Sequence, residues 1–175
     1  MDRKQHWVSV WGNAVSVAEN RPERYAKNIT IRYPIHVPFS GHGLRLTFDN
    51  YCGTEPVTLH KVTVFYGGKF HPVYYSGQRE MTIGAGETIV TDPLELEITE
   101  GEVLQVSFYL ADFTLMRSVV YACGPLSEGL YANGDETETA HINMESSRKT
   151  HLFYPVEMRG HTEYRALEPV LFRRF

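Results

Sequence analysis

The chain is predicted to be all-β, an antiparallel sandwich or barrel with little helix. Three observations predict this. Apolar and polar residues alternate with a period of two in segment after segment, the spacing of a half-buried strand. Turn-forming clusters separate those segments at short intervals, as in sandwiches and barrels. Eleven Tyr and nine Phe, with abundant Val, Ile and Thr, favour pleated surfaces. A chain of 175 residues is long enough to bury a substantial core, and residues 1–175 are expected to form one domain.

The elements follow in order. Ile29 and Ile31 alternate with Thr30 and Arg32, and Leu44, Leu46 and Phe48 with Arg45, Thr47 and Asp49. Val62, Val64 and Tyr66 alternate with Lys61, Thr63 and Phe65. In "IGAGETIVTDPLELEI" (83–98), Leu94, Leu96 and Ile98 fall on one face and Glu95 and Glu97 on the other. Leu104, Val106, Phe108 and Leu110 form the longest apolar row, and "THLFYPVEM" and "EPVLFRRF" supply late strands. Turns are expected at "SGHG" (40–43), "YGGK" (66–69), "GAGE" (84–87), "TEGE" (99–102) and "ANGD" (132–135). Pro34, Pro38, Pro72, Pro93 and Pro155 suit strand ends or edges, where a missing N–H is tolerated. Helical signal is poor: residues 16–27, "SVAENRPERYAK", have room for a turn or two of helix but Pro22 interrupts them, and "NGDETETAH" (133–141) reads as a solvated loop.

Composition also excludes. A formal net charge of −4 provides no positive field for nucleic acid. No segment approaches the roughly 20 apolar residues of a membrane helix, and "MDRKQHWVSVWG" has no signal-peptide core. Cys52 and Cys123, far apart, are expected as free thiols in a reducing cytoplasm.

The chain contains no G-x-S-x-G, no Gly-Asp-Ser, no H-E-x-x-H, no C-x-x-C and no calcium loop. Ser40 and Ser76 precede glycines and read as turn serines. His141, His151 and His161 recur every ten residues but lack a carboxylate or thiol at matching spacing, so they read as exposed or singly hydrogen-bonded. Glu95 and Glu97 stand about 7 Å apart on the water-facing side of a strand, not across a cleft. No catalytic residue, metal ligand or cofactor is therefore assigned. Aromatics leave one opening. Trp7 and Trp11 share a face in a regular strand, and Tyr74 and Tyr75 follow later. Such rings either stack on sugars or plug the core.

In order along the chain, "WVSVWG", "ITIRYPIHVPFSGHGLRLTFDNYCGTEPVTLHKVTV" and "MTIGAGETIVTDPLELEITEGEVLQVSFYL" resemble the N-terminal accessory domain of two-domain SGNH (GDSL-type) hydrolases, over residues 7–110. The resemblance implies a sandwich of jelly-roll character that scaffolds an esterase acting on carbohydrate or lipid esters. It implies a hydrolase domain following after residue 175 in the same polypeptide as partner, with carbohydrate as a further ligand. The family's Gly-Asp-Ser and Asp-x-x-His blocks are absent, so no catalytic role transfers. A stand-alone carbohydrate-binding sandwich is the competing reading. Trp11, Asn50, Tyr51 and Phe172 are the expected ligand or interdomain contacts. Asn50 and Tyr51 lie in the loop "FDNYCG", and Phe172 in the apolar run "LEPVLFRRF" (167–175), expected to form a last strand or arm against the next domain.

Overall fold

A computed structural model describes residues 6–12, 16–17, 25–119, 129–142, 147–149 and 156–162. It is all-β: the described residues contain strands, turns and bends, and no helix. Two antiparallel sheets carry the architecture. The first is five-stranded, ordered His6–Gly12, Val156–Thr162, Gly41–Asp49 and Thr88–Val90, with Leu94–Ile98 also pairing with Gly41–Asp49. The second is six-stranded, ordered Ser147–Lys149, Leu130–Asn133, Ile29–His36, Val103–Leu110, Lys61–Tyr66 and Lys69–Pro72.

The sheets face each other across the predicted apolar rows. Leu44, Leu46, Phe48 and Ile89 meet Ile31, Tyr33, Ile35, Val62, Val64, Leu104, Val106, Phe108 and Leu110 in one buried cluster. Phe48 and Phe108 touch edge to face at 5.6 Å between centroids, the geometry the ring quadrupole favours. Burying each such side chain contributes about 1.5–3 kcal/mol relative to leaving it in water. Val103–Leu110 is the axial strand of its sheet, paired on both edges.

Turn and proline chemistry explain the boundaries. Gly67 and Gly68, at φ 57° and 74°, join Lys61–Tyr66 to Lys69–Pro72 in a two-residue hairpin that needs left-handed backbone at both positions. Pro34 pairs with Gln105, and on the other edge the Leu130–Asn133 strand reaches only Ile29–Arg32, so no ladder bond is lost there. Ser40 accepts the Glu100 N–H at 3.0 Å, and Ser76 and Gly77 donate backbone N–H groups to the Asp92 carboxylate. Both serines are turn residues.

Within 16–27, Ser16–Val17 and Tyr25–Ala26 are strands, paired with Ser118–Val119 and Thr114–Leu115, and the expected helical turns at residues 18–24 lie outside the described residues. Three expectations are corrected. In "SGHG" the chain is already extended from Gly41, and the bend lies at residues 38–39. Trp7 and Trp11 do not share a face, because an irregularity between Ser9 and Trp11 shifts the register. Trp11 turns inward against Tyr33, centroids 5.1 Å apart, while the Arg45 guanidinium lies 4.0 Å from the Trp7 ring centroid. The segment 133–141 is a loop, but not a merely solvated one: it folds over the second sheet and buries Thr137 with its neighbour Ile142. Phe172, the run 167–175, Cys123 and His151 lie outside the described residues. No helix among the described residues is long and apolar enough to cross a membrane.

Candidate functional site

One end of the sandwich gathers the features that are not scaffold. Phe48 lies over Phe108, and Phe108 pairs with Ile31, so the loop following Asp49, the segment following Leu110 and the chain entering Ile29 converge there. The Cys52 N–H donates to Ser118 Oγ at 2.9 Å, tying two of these segments together.

Asn50 shapes this end from behind. Its side chain is 1% exposed, and its amide Nδ2 donates to the carbonyls of Glu55, Ile83 and Gly84 at 2.9, 3.3 and 3.1 Å. Its own carbonyl accepts the Gly53 and Gly86 N–H groups, and its N–H donates to Glu87. A Cβ on Gly53 would fall 1.9 Å from Asn50 Oδ1, so the tightness of the turn requires glycine. Asn50 thus holds the loop rather than presenting itself. Tyr51, next in the chain, is 72% exposed, and its N–H is fixed by Asp49 Oδ1 at 2.6 Å. The result is an aromatic ring displayed on a rigid turn, so a partner would meet little ordering cost in the backbone.

Two further aromatics stand at the same end. Tyr25 and Phe113 stack with centroids 4.5 Å apart and planes 21° off parallel. Phe113 is 66% exposed. Beside it, Asp112 Oδ2 accepts from His60 Nε2 at 3.2 Å, and His60 Nδ1 accepts the Ala111 N–H at 3.2 Å. Both imidazole nitrogens are therefore engaged. A catalytic histidine bonds its acid through one nitrogen and keeps the other for the nucleophile's proton; His60 has neither nitrogen to spare.

The remaining polar chemistry is also committed to the fold. Burial pushes the Cys52 thiol up, Asp49 adds to the shift, and Arg117 and the bond to Ser118 oppose it, so Cys52 is a poorly activated free thiol. Arg32, 2% exposed in the second sheet, donates from Nε to Ser107 Oγ at 2.7 Å. Its terminal nitrogens donate to the carbonyls of Glu136 and Ala140 at 2.8 and 3.3 Å. Burial lowers its pKa while Glu136 opposes the shift. Outside this core, Lys61 bridges Asp135 and Glu138, each at 3.1 Å, and Arg79 joins Glu138 at 3.2 Å. Among the described residues, no group of three or more His, Cys, Asp or Glu side chains comes together as a metal site.

Of the contacts expected from sequence, the structure brings Asn50 and Tyr51 to this end, Asn50 buried and Tyr51 displayed. Trp11 is half-buried against the core. Tyr25 and Phe113 were not singled out by the sequence. The available signal is local: after Leu110 the next inward position is Asp112, which ends the buried row and leaves Phe113 outside it. No protein-family model matches the chain, and no curated protein is significantly similar to it.

Proposed function

We propose that this sandwich, of jelly-roll character, is a non-catalytic accessory module of an SGNH (GDSL-type) ester hydrolase acting on carbohydrate or lipid esters. Its part is to scaffold the enzyme and assist substrate binding, with the loop end as its contact surface. Ester cleavage by Ser-His-Asp chemistry belongs to a hydrolase domain of the same polypeptide. The observation that carries this reading is the division of labour at the loop end. There Asn50, His60 and Ser118 are spent on holding backbone, and two aromatic rings, Tyr51 and Phe113, face outward. The ordered sequence resemblance over residues 7–110 supplies the enzyme class. The free Cys52 thiol accords with a cytoplasmic setting.

A stand-alone carbohydrate-binding sandwich is the second reading, favoured by the same exposed rings. The coding sequence beyond codon 175 separates the two: a Gly-Asp-Ser block supports the accessory module, and a stop codon supports the independent one. The module itself is tested with p-nitrophenyl acetate and butyrate. The expected result is no turnover sensitive to a serine reagent. Reagent-sensitive hydrolysis would overturn the non-catalytic assignment, because it would require a nucleophile and base within these residues.

A further inference from the structure

The exposed aromatics at the loop end are not equivalent. Tyr51 stands singly on its turn, whereas Phe113 is backed by a second ring. With one face covered by Tyr25 at 4.5 Å and 66% of the residue still exposed, Phe113 presents its other face to solvent. A flat ring braced from behind is a stacking surface with two torsions and little freedom to lose. The same bend supplies polar groups. Asp112 directly precedes Phe113, its side chain is 82% exposed, and it is oriented by His60. Asn28 Oδ1 accepts the Tyr109 hydroxyl at 2.6 Å nearby, fixing the neighbouring polar surface.

We propose that Phe113, braced by Tyr25, is a stacking platform for a neutral pyranose ring of a polysaccharide, with the His60-oriented Asp112 carboxylate accepting from the sugar's hydroxyls. The inference rests on the reading of the module as one that assists substrate binding, and it names the substrate's chemistry. The C–H face of a pyranose is apolar and matches the electron-rich face of the ring, while its equatorial hydroxyls point to the rim, where a carboxylate accepts them. The charge of Asp112 also selects: a free uronate laid over Phe113 would bring a second carboxylate beside it, whereas a neutral or esterified sugar would not.

Affinity electrophoresis tests this with hydroxyethyl cellulose, arabinoxylan and highly methyl-esterified pectin as neutral matrices and polygalacturonate as the anionic one. The expected result is retardation on a neutral matrix, with Phe113→Ala raising the apparent Kd about tenfold, the loss of roughly one stacking contact. Val103→Ala, an exposed change at the opposite end of the strand that leads to this bend, should leave the retardation in place. Near-UV circular dichroism and the thermal midpoint check that each variant keeps the fold. Retardation unaltered by Phe113→Ala, strongest retardation on polygalacturonate, or no retardation on any matrix would each overturn the site. None of those outcomes bears on the accessory-module reading, which the ester assay and the downstream coding sequence decide.

Discussion

Two polar, glycine-containing loops of this sandwich look alike in sequence and differ in what they do. The loop after Asp49 (50–56, "NYCGTEP") is held by Asn50, a member of the loop itself. The strap at 133–142 ("NGDETETAHI") is held by Arg32, a strand residue 104 and 108 positions away from the carbonyls it binds. In the first case the loop is pinned from within, and its outer surface is free to display Tyr51. In the second the loop is the lid of a buried cation, and its backbone carbonyls replace the water that Arg32 gave up. A loop's role is thus set by which side chain satisfies its carbonyls, not by its polarity.

The comparison predicts that breaking the strap costs more than breaking the pinned loop. Arg32→Met removes a buried guanidinium and leaves the Glu136 and Ala140 carbonyls and Ser107 without their donor. The expected loss is about 3–5 kcal/mol, as for breaking buried charged hydrogen bonds. Urea unfolding at neutral pH measures it. A loss below about 1 kcal/mol would mean that the strap is held by its rim rather than by Arg32.

Asn50→Ala is the next largest change. It removes the Nδ2 donor from the carbonyls of Glu55, Ile83 and Gly84, of which Gly84 keeps the Glu87 N–H, for an expected loss of about 2 kcal/mol in the same assay. Asn50→Asp should be worse than Ala at neutral pH, because a carboxylate has only acceptors to offer three carbonyls. Gly53→Ala should match or exceed the alanine change at Asn50, since its Cβ would fall on the Asn50 amide. If all three variants unfold with the wild-type midpoint, the loop is not pinned from within, and the contrast with the strap disappears.

The same contrast explains what the sequence made legible. The inward rows of Gly41–Asp49 and Val103–Leu110 are fixed by alternation, so their faces are readable without a structure. Asn50 and Gly53 are three apart, and a turn between them follows from residue type. Arg32 reads as the polar side of a strand, because alternation reports that a position is off the core face and cannot report that another segment covers it. The same limit hides Thr30, Thr63 and Ser107, all buried on that outer side. Trp7 and Trp11 fail for a different reason: one irregular residue between Ser9 and Trp11 reverses every face assignment beyond it. Phe113 and Tyr25 come together only through pairing of two short strands far apart in the chain, so neither residue's neighbours announce the stack.

The smallest expected effect lies at the rim of the strap, and it separates rim from centre. Asp135 and Glu138 both have lowered pKa values. For Asp135, burial works against the shift, but hydrogen bonds from Thr137 and Lys61 outweigh it. For Glu138 the hydrogen bond to Lys61 is the main cause, followed by that to Arg79. A carboxylate whose folded-state pKa is depressed contributes stability that is fully present above its ordinary value, 3.8 for Asp135 and 4.5 for Glu138, and lost as the pH falls through the depressed one. Lys61 works in the opposite sense. Its pKa is raised, burial notwithstanding, by its bonds to Asp135 and Glu138, so its contribution is complete below its ordinary 10.5 and fades only as the pH rises beyond it. These groups are partly exposed and screened by solvent, so the whole rim should be worth no more than about 1 kcal/mol and should shrink in high salt. Lys61→Met should therefore lower the urea midpoint slightly at pH 7 and flatten the decline in stability between pH 5 and pH 3, within the ~1 kcal/mol scale of exposed pairs. Arg32→Met should lower stability by a similar amount across that range, because a guanidinium keeps its charge throughout. If the Lys61 variant retains the full acid decline, the lowered carboxylates do not depend on Lys61, and the strap is held at its centre alone.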